Sequence, residues 1–127
     1  MGKKTDRDIA EQFISLVGGI ANKVNQIYLN LFHVLIITQP VSWVDCYIGD
    51  TVELSVVAAN VSAYQWYKKT SFDTSFTRMT GETNSTLSFT AEEVSTTSYY
   101  YCQLTGKDGI MTATQISGVQ IRQQQGG

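Results

Sequence analysis

Between Val52 and Cys102 the chain repeats one pattern four times: a short run of alternating apolar and polar residues, then a polar, turn-rich segment. The runs are V-E-L-S-V-V-A, Y-Q-W-Y-K-K, T-L-S-F-T and S-Y-Y-Y-C. Successive side chains of a strand point to opposite faces, so a period of two gives each run one buried and one wet face. Several such runs at short spacing predict a β-sandwich. Trp66 lies near the middle of the stretch and Cys102 closes it.

The remaining strands follow from the same pattern. Ile36 to Pro40 reads as a first edge strand, where Pro40 is tolerated because edge strands carry unpaired N–H groups. Trp43 to Tyr47 continues along the edge, and Gly49-Asp50 turns the chain into a second strand, Thr51 to Ala59. Asn60 to Ala63 is a short loop, and Tyr64 to Lys69 the next strand, with Trp66 inward. Ser71 to Asn84 holds one or two irregular edge strands. Thr86 to Thr90 turns Leu87 and Phe89 inward, and Glu92 to Ser98 crosses between sheets, with Val94 plugging the core. Tyr99 to Thr105 and Ile110 to Ile121 form a last hairpin joined by G-K-D-G, a strong turn signal.

The phrases I-T-Q-P, G-D-T-V-E-L-S-V, Y-Q-W-Y-K, S-T-L-S-F and Y-Y-Y-C span residues 36–121. Together they resemble immunoglobulin-like domains of bacterial surface proteins and bacteriophage virion proteins. The resemblance implies a core built on Val56, Trp66, Leu87, Tyr100 and Cys102. Trp66 falls at the family's core tryptophan, and Tyr100, two before Cys102, at its tyrosine corner. Val56 stands where the first cysteine of the inter-sheet disulfide would be, so that bridge cannot form. Thr96 and Ser98 replace the Asp and Gly that precede the corner tyrosine. A sandwich without its disulfide suits folding in a reducing cytoplasm.

Ahead of the sandwich, Ile9, Phe13, Leu16, Ile20, Val24, Ile27, Leu31 and Val34 recur at steps of three or four. That spacing predicts an amphipathic helix with one apolar stripe, broken or weakened at Gly18-Gly19. One reading packs the stripe on its own sandwich; since a sandwich already closes its core between its own two sheets, the preferred reading is an oligomerisation or docking surface buried against other chains. A trimer is favoured, although the spacing leaves the copy number open. The expected fold class is mainly β: an immunoglobulin-like β-sandwich over residues 36–122, an N-terminal α-helical extension over 1–35, and a polar tail over 123–127.

Hydrophobic residues make up 43% of the chain, enough for a packed core. A net charge of -2 gives no electrostatic case for nucleic acid. The most apolar window, Ile20 to Ile37, is interrupted by Asn22, Lys23, Asn25, Gln26, Asn30 and His33, which argues against membrane insertion. The first residues lack the apolar segment of a signal peptide, so the chain reads as not exported by the usual route. The sequons at Asn60 and Asn84 are then chance matches.

No nucleophile elbow, phosphate loop or metalloprotease signature occurs, and no cofactor is expected. Cys46 and Cys102 read as two separate thiols, and one histidine with two distant cysteines makes a poor zinc site. Asp45, Asp50 and Glu53 read as turn and solvent-face residues, and His33 as an interface or solvated residue. Tyr47, Tyr64, Tyr67, Tyr99 and Tyr101 make the sandwich aromatic-rich. They read first as cross-strand pairs and second as a recognition surface for glycan or protein. The loops at 60–63, 70–84 and 105–110 are the other expected recognition surface.

The resemblance implies a non-enzymatic phage virion protein (capsid decoration, head-fibre or tail-associated) that partners with itself and with other virion proteins. Weak attachment to host-surface glycans follows from the same analogy. The alternative is an immunoglobulin-like binding module of a bacterial cell-surface or carbohydrate-processing system.

Overall fold

A computed structural model describes residues 32–92 and 97–123, and every structural statement below concerns those residues. The stripe positions Ile9 to Leu31, the expected plug Val94 and most of the expected polar tail lie outside them. The described chain is built of strands: β1 (Leu35–Thr38), β2 (Trp43–Tyr47), β3 (Thr51–Ser55), β4 (Val57–Ala59), β5 (Val61–Thr70), β6 (Thr77–Arg78), β7 (Thr86–Thr90), β8 (Thr97–Gly106), β9 (Met111–Ala113) and β10 (Ser117–Arg122).

The strands form two layers. One contains β1 paired with β4 and β3 paired with β7, all antiparallel; Val56 alone separates β3 from β4. The other runs β2-β10-β8-β5-β6, with β9 also pairing β8. Within it β2 lies parallel to β10, and the other pairs are antiparallel. The first edge of the sandwich therefore splits: β1 joins one sheet and β2 the other.

Pro40 sits at that switch and is fully buried. It has no N–H to leave unpaired there. The last strand breaks opposite it, at residues 114–116. Gln115 fastens the two breaks together, donating its side-chain amide to Pro40 O (2.7 Å) and its backbone N–H to Gln39 Oε1 (2.9 Å). Thr114 closes the same gap on the other side, accepting the Cys102 N–H at 2.9 Å through its hydroxyl and donating its own N–H to Cys102 O.

The alternation read from the sequence becomes the core. Val52 and Leu54 of β3 and Leu87 of β7 point inward; so do Trp66 of β5, Tyr100, Cys102 and Leu104 of β8, and Val119 of β10. Trp66 is wholly buried, and its indole N–H donates to Asn84 O at 2.7 Å, so the ring's one polar atom is satisfied without water. Gln65, next to it, donates its amide to Trp66 O (3.0 Å) and Met79 O (2.7 Å), holding the 79–82 turn against β5.

Several expectations are corrected. The first strand begins at Leu35, and Val34 is a core residue packed beside Gly106, so its side chain is used inside the sandwich and not in a docking stripe. The 60–63 loop contracts to one residue: Asn60 turns the chain with φ of 64°, and β5 already starts at Val61. Asparagine tolerates that left-handed conformation better than most residues, which makes so tight a turn accessible.

His33 is not simply solvated. Its Nδ1 faces Asp108 Oδ2 at 3.0 Å, and its carbonyl accepts the Asn60 amide at 3.0 Å. The chain entering β1 is thus tied to the β8–β9 turn. The Ile110 N–H, and then His33, hold the Asp108 carboxyl below the usual carboxylate range. The fold therefore favours ionised Asp108. Its contribution is present above the ordinary carboxylate pKa of about 4 and is lost as pH falls through the lower folded value. Asp108→Asn should lower the melting temperature at neutral pH, and the gap to the parent should narrow steadily below about pH 4. Thermal unfolding across that range checks this, and a gap independent of pH contradicts it.

Candidate functional site

Strand alternation sorts the aromatic residues to the two faces of the larger sheet. On β8 the even positions Ser98 to Gly106 are buried, so Tyr99, Tyr101 and Gln103 point out. On β5, Trp66 points in and Gln65, Tyr67 and Lys69 point out. Register then sets them side by side: Tyr67 lies opposite Tyr101, Lys69 opposite Tyr99, and Gln65 opposite Gln103.

Tyr67 and Tyr101 stack with ring centroids 4.9 Å apart and planes within 6°. The Tyr67 hydroxyl donates to Gln103 Oε1 at 3.1 Å. Phe76, from the loop before β6, meets Tyr101 edge-on at 4.7 Å. Offset stacks and edge contacts of this kind add roughly 0.5–1.5 kcal/mol each beyond the area they bury. Partial burial, and then the neighbouring Tyr67, raise the Tyr101 hydroxyl above its ordinary pKa. The cross-strand reading of these tyrosines is therefore physically present, and it also builds a continuous aromatic surface.

One row extends right across the sheet: Trp43 on β2, Gly118 on β10, Tyr99 on β8 and Lys69 on β5. The Trp43 ring lies over Gly118, where any Cβ would fall 2.5 Å from two ring carbons. Glycine is required there by close approach. Trp43 stays about half exposed (48%) and is oriented by its indole N–H, which donates to Asp45 Oδ2 at 3.1 Å.

At the Lys69 end of the row is an open concavity of about 380 Å³ lined by Lys69, Ser71, Phe76, Tyr99 and Ile116. The Lys69 ammonium lies 5.6 Å from the Phe76 ring centre and 5.8 Å from that of Tyr99. Both distances are within cation–π range. Lys68, one residue earlier, points the other way; its ammonium lies 5.8 Å from the inward Tyr100 ring. Phe89 packs on the same Tyr100 ring at 5.2 Å.

All five expected core positions fall in one buried cluster: Val56, Trp66, Leu87, Tyr100 and Cys102. Burial pushes the Tyr100 hydroxyl up to about 12 and the Cys102 thiol up to about 11. Cys46 is raised by burial, then by Asp50 and Asp45. Both cysteines are free and buried, and thiols so placed stay protonated near neutral pH and make poor nucleophiles. Asp45 and Asp50 serve as local polar partners: Asp45 also meets Arg122 Nε at 3.5 Å, and Asp50 accepts the Tyr47 N–H at 2.8 Å. Among the described residues no cluster of three or more His, Cys, Asp or Glu is placed to hold a metal ion.

Of the five tyrosines singled out, Tyr67, Tyr99 and Tyr101 share the aromatic surface. Tyr47 is exposed farther along β2, and Tyr64 packs against the core. Phe76 falls in the 70–84 loop expected as a recognition surface, whereas Lys69 and Ile116 were not legible as parts of a site, because they come from separate segments. The one available signal was the parity that separates Lys69 from Lys68.

No family model and no curated protein matches the sequence. Solved structures do. A chain in a structure addressing T cell specificity and activation by the bacterial superantigen toxic shock syndrome toxin-1 aligns with a TM-score of 0.52 at 14% identity, over 72% of this chain and 99% of that one. Drosophila OTK extracellular domains 3–5 align at 0.46 and 15% identity, over 69% of this chain and 35% of that one. Fibronectin(III)-like modules of Clostridium thermocellum CbhA align at 0.39 and 16% identity, over 71% and 94%. The first of these alignments, together with the two-layer strand order, gives the described part of this chain an immunoglobulin-like fold.

Proposed function

We propose that this chain is a non-enzymatic structural protein of a bacteriophage particle, made in the host cytoplasm and carried on the virion as a decoration, head-fibre or tail-associated component. The apolar stripe from Ile9 to Leu31 anchors it, by forming a homo-oligomer, with a trimer favoured, or by docking on other virion proteins. The sandwich is displayed outward and attaches weakly to host-surface glycans.

The observation that carries this reading is the outer face of the larger sheet. Trp43, Tyr99, Tyr101, Tyr67 and Phe76 cover one side of a rigid scaffold, where a flat, apolar saccharide face can lie. Single contacts of this type are weak. Several copies on one anchor raise the effective concentration and hence the avidity, with no new contact needed. The core also suits assembly in a reducing cytoplasm, since it is closed by packing with both cysteines free.

Light scattering on the full chain should give an oligomer that falls to a monomer when residues 1–31 are removed. The cut must stop there, because Val34 belongs to the sandwich core. Electron microscopy should locate the full chain on intact particles. A monomeric full chain, together with particle association that survives the truncation, would refute the anchor. Periplasmic or extracellular location in a bacterium would instead favour a bacterial surface or carbohydrate-processing module.

A further inference from the structure

We infer that the concavity between Lys69, Ser71, Phe76, Tyr99 and Ile116 is a binding site for an acidic sugar, a pyranose bearing a carboxylate or a sulfate. This deepens the proposed glycan attachment and rests on it.

Three features of the site converge. Phe76 and Tyr99 supply ring surface for the C–H face of a pyranose, and Ile116 adds an apolar wall. The Lys69 ammonium is held at both rings, 5.6 Å and 5.8 Å from their centres. Among the described residues that ammonium makes no ion pair. Asp73 feels the Lys69 charge, but the Asp73 carboxylate is taken by the Thr70 N–H at 2.8 Å and the Thr70 hydroxyl at 3.1 Å. Ser71 brings a hydroxyl to the same concavity. A cation set on an aromatic floor, beside a hydroxyl, matches an anionic substituent carried on a ring with an apolar face.

Other occupants fit less well. A two-fold contact between copies centred on this concavity would bring two Lys69 ammoniums together. A nucleic acid would need a basic surface, and the chain carries a net charge of -2.

The test is a chemical-shift titration of the full chain with three probes: N-acetylneuraminic acid, glucose 6-sulfate and neutral galactose. At least one acidic probe should give saturable shifts at Lys69, Ser71, Phe76 and Tyr99, with galactose binding at least about tenfold more weakly. The two acidic probes separate carboxylate from sulfate. Lys69→Gln should remove the preference for the acidic probe, weakening it about tenfold, while leaving galactose unchanged and the rest of the spectrum intact. Raised salt should weaken the acidic probe alone. Equal binding of galactose and both acidic probes on this face would overturn the charge assignment and leave glycan attachment standing. Silence of these residues to all three probes, with oligomerisation intact, would overturn both the site and the glycan arm of the proposed function. Concentration-dependent shifts at these residues without sugar would assign the face to self-association and overturn the site.

Discussion

Replacing Trp66 with alanine is expected to destabilise the sandwich by about 3–5 kcal/mol, the cost of emptying a large aromatic site that the surroundings refill only in part. Trp66 is fully buried and lies opposite Cys102 on β8, in the middle of the core. The substitution also strands the Asn84 carbonyl, which accepts the indole N–H at 2.7 Å and ties the loop before β7 to β5. Domains of this size are stable by only about 5–15 kcal/mol, so the variant should populate the unfolded state measurably. Urea unfolding followed by far-ultraviolet circular dichroism reads the effect. Trp66→Phe keeps most of the ring and loses the hydrogen bond, so it should cost clearly less. If alanine costs under about 1 kcal/mol, the core is not organised around this residue.

Val56→Cys is expected to act in the opposite direction. Val56 lies in the break between β3 and β4 of one sheet and Cys102 on β8 of the other, and both are buried. By the resemblance, Val56 occupies the position of the missing disulfide cysteine. Under oxidising conditions the new thiol should therefore bridge to Cys102. Closing the loop between positions 56 and 102 constrains the unfolded chain, and the chain-entropy relation gives about 4 kcal/mol as an upper figure. Intact mass should fall by two hydrogens, and the denaturant midpoint should rise without reductant and return when reductant is added. Bridging requires the two Cα atoms to lie within about 7 Å. Three thiols titratable after oxidation, Cys46 included, would show that Val56 and Cys102 do not face each other across the core.

The fold was readable because burial and strand period give the same answer in this sequence. Val52, Leu54, Leu87, Trp66 and Cys102 all fall on the buried parity of their strands, and all are in the core. Where a residue's role depends on a distant partner, the sequence was less informative. Val34 looked like the end of a helical stripe because it keeps that spacing, yet it packs beside Gly106, more than seventy positions away. His33 reads from the sequence as an interface or solvated residue, and its partner Asp108 lies 75 positions on. Asn60 sat in a polar stretch that fitted a longer loop, while its left-handed backbone needs only one residue to turn.

The candidate site divides the same way. Alternation alone required some of Tyr67, Tyr99 and Tyr101 to point outward, because Tyr100 points in. The stack of Tyr67 on Tyr101 needed the β5–β8 register, which no local pattern encodes. The concavity needed more: Phe76, Lys69, Tyr99 and Ile116 meet only because a loop, two paired strands and the break before β10 converge at one end of the sheet. By itself, the sequence determined most of the strands and their buried faces, because these depend on side-chain period and residue identity. Tertiary structure alone decided the edge switch at Pro40, the Trp43–Gly118 contact and the charged aromatic hollow, because these depend on how strands far apart in the chain are registered against one another.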